Sequence, residues 1–209
     1  MPVAHDLMLE FARMGVVFAH LIACCIAMGL VLTSDIAMVR QLYKGDPTDR
    51  IDMQRMKALQ STVSAALIAL WATGLMLVAL DTAVRGWDYF ANPKLQAKIL
   101  IVVLLTLNGL VLHRYVLPWM QNVGTLLRLP PRQAVFATFS GAVSGASWLY
   151  AALLGVGRPL SWKYSLFELL AAYPLLVAGG FMGMLALTAI GRHRESRSTL
   201  PREADAAVG

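Results

Sequence analysis

Charge is the first thing this sequence has little of. Of its 209 residues only 14% are Asp, Glu, Lys or Arg, while 58% are apolar. A soluble domain carries about 25% charged and about 45–50% apolar residues. The shortage excludes an ordinary soluble domain, and the apolar surplus excludes intrinsic disorder, because so much greasy surface cannot stay solvated. Cysteine is almost missing: Cys24 and Cys25 are the two present, side by side. They cannot supply a disulfide framework, and bridging adjacent cysteines strains the backbone, so both read as small packing residues. The sequence has no glycine-rich phosphate loop, no zinc-ligand spacing and no paired carboxylates inside an apolar run, and no Ser/His/Asp set can be assembled from it.

What is there is a succession of long apolar runs, the mark of an integral membrane protein. A spanning helix needs about 20 apolar residues, since the hydrocarbon layer is roughly 30 Å thick and each residue rises about 1.5 Å. Reading from charge to charge predicts an all-α bundle of five transmembrane helices, at about 11–34, 58–80, 95–117, 133–157 and 166–191. The third has a short uncharged centre, Ile99–His113, which is lengthened by Lys98 and Arg114 snorkelling from its ends. Residues 1–191 form a single bundle, and 192–209, polar and mixed in charge, are expected to be a disordered cytoplasmic tail. The opening residues, MPVAHDLMLEF, lack a basic stretch and a cleavage site, so the first span is expected to be retained.

Local signals place the helix ends. Asp46-Pro47 and Asn92-Pro93 each put a capping side chain before a proline, which suits a first helical position. They predict starts near Pro47 and Pro93. Ser165 and Glu168 have capping-box spacing at the start of the fifth span. Pro118 is expected to close the third span, Pro130-Pro131 to open the fourth, and Pro174 to kink the fifth. Lys and Arg divide twelve against six between alternate sides. The positive-inside rule therefore places the amino end outside and the carboxyl end in the cytoplasm. Trp87 and Trp162 then lie at the outer interface and Trp119 at the inner one. This asymmetry accounts for the net charge of +6, and no nucleic-acid partner is implied.

Ionisable residues inside membrane helices are costly and are functional candidates by default. His20 lies inside the first span, on a stripe with Arg13, Val16, Cys24 and Ala27; Glu10 is spaced to pair with Arg13. Two readings of His20 stay open. It is a neutral imidazole tying helices together, or it is a haem ligand or proton-handling group. His113, next to Arg114 at the end of its span, reads as interfacial. The two histidines cannot clamp one haem, because eleven residues of vertical offset is roughly 16 Å. Gly141 and Gly145, and Gly179 and Gly183, have the small-xxx-small spacing that lets helices approach, within the chain or between chains. The methionines read as core filler.

The stretch His20-Leu-Ile, with Gly29 nine residues on, resembles the first helix of HemJ-type protoporphyrinogen IX oxidases, which belong with the CopD-like small helical membrane proteins. Trp71-Ala-Thr-Gly74-Leu is similar in character to their second helix. Lys98-Ile-Leu-Ile-Val-Val-Leu-Leu, followed by Arg114, resembles their lysine-initiated third helix ending in arginine. The resemblance covers about half the chain, roughly Phe11–Val116. It implies a b-type haem or porphyrin partner in a bacterial-type inner membrane, with His20 as ligand to the haem iron and Arg13 or Lys98 facing tetrapyrrole carboxylates. One position departs: where the family's third helix has a histidine, this chain has Asn108-Gly109. The functions to weigh are therefore a haem-associated redox protein and a non-enzymatic scaffold subunit packing through its glycine faces. A small-solute or proton transporter is a third, for which the repeated halves typical of such folds are missing.

Overall fold

The computed structural model describes residues 2–44, 53–124, 126–160 and 162–206. They form six α-helices: α1 (Pro2–Lys44), α2 (Met53–Arg85), α3 (Pro93–Val111), α4 (Leu117–Val123), α5 (Pro131–Val156) and α6 (Leu166–Ala206). Among the described residues there is no strand. Five stretches are long and apolar enough to cross a membrane: Leu7–Arg40, Ala58–Arg85, Pro93–Val123, Pro131–Val156 and Leu166–His193. The chain is thus an all-α, multi-pass membrane protein. With an odd number of crossings its two ends lie on opposite faces of the bundle.

Several expected boundaries hold. Asn92 accepts a hydrogen bond from the Lys94 amide at 3.0 Å, with Pro93 in the first turn of α3. The Ser165 amide donates to Glu168 Oε2 at 2.8 Å and the Glu168 amide to Ser165 Oγ at 3.3 Å, a capping box. The start near Asp46-Pro47 lies outside the described residues. Other boundaries differ. Pro118 does not close the third span. A π-turn over Leu112–Val116 widens the helix just before it, making room for a residue that has no N–H and whose ring would strike the carbonyl one turn back. The span ends instead at Gly124, whose φ of 84° is a left-handed cap that glycine adopts without penalty. The polar stretch after Arg192, read as a disordered tail, continues α6 as helix to Ala206. Polarity removes packing partners but does not break a helix by itself.

The helices divide into two groups. α1 and α2 pack along each other, and α5, the most enclosed span, packs against α3 and α6. Halfway down, Ala27, Ala66, Leu105 and Trp148 join α1, α2, α3 and α5 in one cluster. Toward the face bearing the amino terminus, Ala97, Ile101, Tyr150, Leu154 and Leu169 bind α3, α5 and α6. At the opposite face Leu42 meets Val116, Met120, Leu126, Leu129, Ala134 and Ala137. There α6 passes so near α1 that a Cβ on Gly191 would lie 2.9 Å from the Leu42 carbonyl oxygen. Lipid is as apolar as these side chains, so close fit rather than water exclusion holds such contacts. Ala27, at 0% exposure, sits where the two groups meet. Ala27→Leu is expected to cost about 1–3 kcal/mol by overpacking, measured as earlier unfolding in a detergent titration. Ile68→Ala, at a position 70% exposed, is expected to change little.

The glycine pairs do not all play their expected part. Apart from their own turns of helix, no atom lies within 4 Å of where a Cβ would stand on Gly141, Gly179 or Gly183. α5 and α6 approach one residue over, at Gly180, whose Cβ would meet the Ala142 Cβ at 3.7 Å. Each residue turns a helix by about 100°, so this one-residue step leaves Gly179 and Gly183 on the outside. Gly145 faces Asp35, whose Oδ2 is 3.5 Å from the Cβ position.

Candidate functional site

On the amino-terminal side of the Ala27 cluster several polar groups from the two helix groups lie near one another. α1 contributes His20 and Cys24, α2 contributes Thr73 and Gly74, α3 contributes Lys98, and α5 contributes Gly155. His20 Nδ1 is 2.7 Å from Thr73 Oγ1. That hydroxyl is 2.6 Å from the carbonyl oxygen of Ala69 in its own helix. A Cβ on Gly74 would lie 3.7 Å from His20 Cε1, so α2 passes close beside the imidazole. The Lys98 ammonium stands beside Gly155, 3.8 Å from where its Cβ would be, and interacts electrostatically with both His20 and Cys24. Neither Lys98 Nζ nor His20 Nε2 has a hydrogen-bond or ion-pair partner among the described residues.

Arg13 lies about two turns, roughly 10 Å, nearer the amino-terminal face. Its Nε bonds Asp81 Oδ1 at 3.1 Å, so the partner is on α2 and not Glu10, one turn away on the same helix. A cation held at a helix–helix contact gains more from a carboxylate already buried there than from a solvated neighbour. Tyr89, in the connection after α2, also hydrogen-bonds Asp81, and Arg85 stacks over its ring at 5.7 Å. Burial, together with the Asp81 carboxylate, pushes the Tyr89 phenol above its ordinary pKa. The set clasps α1, α2 and the following turn.

Of the residues singled out in the sequence, His20 and Lys98 therefore lie near each other, and Arg13 is committed to Asp81. His113 is elsewhere. The contacts His20–Thr73 and Trp71–Thr106, the latter 3.0 Å, set the register of α1, α2 and α3. They leave His113 roughly 13 Å deeper than His20, exposed on the π-turn beside Arg114. Asn108, at the departing position, is fully occupied: Nδ2 donates to the Ser140 carbonyl at 2.9 Å and Oδ1 accepts from Ser140 Oγ at 2.8 Å. It clamps α3 to α5. Thr73, Gly74 and Gly155 were not legible as site residues, because a threonine or glycine in a membrane helix carries no mark of what it faces. Among the described residues no three His, Cys, Asp or Glu side chains gather as a metal-holding group. Comparison with family models, with curated proteins and with solved structures finds no match to this chain.

Proposed function

We propose that this chain is a bacterial-type inner-membrane protein, amino end outside, that binds a b-type haem or porphyrin through His20 and serves a redox-linked role. The observation that carries the reading is an imidazole nitrogen left without a partner in a membrane helix, near a lysine that also has none. An imidazole nitrogen with no protein partner is free to take a ligand, and a nearby ammonium suits an anionic group on that ligand. His20 would supply a nitrogen ligand to the iron, and Lys98 would meet a carboxylate of the tetrapyrrole. Arg13 has only its terminal guanidinium nitrogens left to offer, and Asn108 is closed to ligation by its bonds to Ser140. Bound haem supplies one-electron chemistry there. The protein's part would be to bind the group through His20 and to balance a carboxylate with Lys98.

The experiment is a pigment assay. Protein purified in detergent from haem-replete cells is expected to show a Soret band and stoichiometric haem. A preparation that stays colourless after haem is added overturns the reading. One observation favours a second reading, a scaffold subunit: Gly179 and Gly183 are exposed, with open space beside them. A colourless protein that crosslinks to another membrane helix through α6 would support it.

A further inference from the structure

We infer that Thr73 is a positioning residue that fixes the tautomer of His20, so that this site takes its ligand through Nε2. The inference deepens the haem reading but rests on hydrogen bonds that need no haem. The Thr73 hydroxyl has one proton. Its oxygen stands 2.6 Å from the Ala69 carbonyl and 3.3 Å from that of Leu70, and a carbonyl can only accept. Donating to Ala69 uses the hydroxyl proton, and its lone pairs then face His20 Nδ1 at 2.7 Å. Nδ1 must therefore carry the imidazole proton and donate it, which leaves a lone pair on Nε2. The chain runs one way, from Nδ1–H to Oγ1–H to the Ala69 carbonyl.

The turn of α2 that bears Thr73 is held from two sides. Trp71 Nε1 donates to Thr106 Oγ1 on α3 at 3.0 Å, and that hydroxyl donates to the Val102 carbonyl at 2.8 Å. The same logic operates there, a threonine bonded to its own helix presenting lone pairs to a neighbour's N–H. Trp71 toward α3 and Thr73 toward α1 set the rotation of α2, so the hydroxyl is fixed before any ligand arrives. An imidazole whose second nitrogen donates to a fixed acceptor is a more basic and better oriented ligand. The ligand class is thus a Lewis acid or proton donor that meets the lone pair on Nε2.

The test is nitrogen NMR on ligand-free protein with labelled histidine, above the ordinary histidine titration range. His20→Gln identifies the resonances of His20. The wild type is expected to show a protonated Nδ1 and an unprotonated Nε2. Thr73→Ser is expected to keep this state. Thr73→Val is expected to lose it in favour of the Nε2-protonated form, the usual preference of free imidazole. A wild type protonated on Nε2, or a Thr73→Val protein with unchanged nitrogens, overturns the inference. Should Thr73→Val fail to fold, the wild-type and Thr73→Ser spectra still decide it. Because no haem is present, a colourless protein with the expected tautomer sinks the haem reading alone, and a pigmented protein with the opposite tautomer sinks only the role of Thr73.

Discussion

Alanine in place of His20 is expected to give a folded, membrane-inserted protein with no Soret band and no retained haem. The loss follows if His20 is the ligand, as proposed. Cys24, one turn along α1 and half-buried, is the nearest other donor. Asn108 is tied to Ser140, and His113 lies far below. The fold should survive. His20 gives α1 a single side-chain bond to α2, worth about 1 kcal/mol, while the Arg13–Asp81 pair and the Ala27 cluster still join the two helices. A His20→Ala protein that keeps its haem places the ligand elsewhere.

A large loss of stability is expected from Arg13→Met. The two partners of the ion pair are not equally exposed: the Arg13 side chain is 49% exposed and that of Asp81 only 12%. Removing the arginine leaves a carboxylate enclosed between α1 and α2 with only the Tyr89 hydroxyl to serve it. Breaking a buried pair in this way costs about 3–5 kcal/mol, and the open arginine brings the expectation down to about 1–3 kcal/mol. Asp81→Asn should cost less, because the freed guanidinium can turn to headgroup water. Arg13→Met combined with Asp81→Leu should be more stable than Arg13→Met alone, since no buried charge remains. Detergent unfolding of the four proteins measures the order. Equal losses for the two single variants would show that the asymmetry in exposure has no energetic weight.

The sequence carried the spans plainly because lipid imposes one requirement, that every backbone group bond within its own helix under an apolar surface. Twenty apolar residues in a row cannot be read otherwise. Caps at Asn92 and at Ser165–Glu168 were equally visible, since their partners lie within three residues. Contacts between helices were not. Arg13 and Asp81 are 68 residues apart, and His20 and Thr73 are 53 apart. Nothing local distinguishes Asp81 from Glu10 as the partner of Arg13, or Thr73 from the other threonines as the partner of His20. The glycine pairs show the same limit, because spacing identifies a face but not what the face meets. The π-turn before Pro118 was likewise hidden, since a proline can end a helix or be absorbed by widening it, and packing decides which.

The spin state of the ferric protein tests the central claim most directly, that one uncommitted histidine nitrogen holds the ligand. Electron paramagnetic resonance of the haem-loaded chain is predicted to show an axial high-spin signal, from iron bound on one face by His20 and left open or water-bound on the other. A low-spin signal of two histidines, persisting with Asn108 in place, would contradict it.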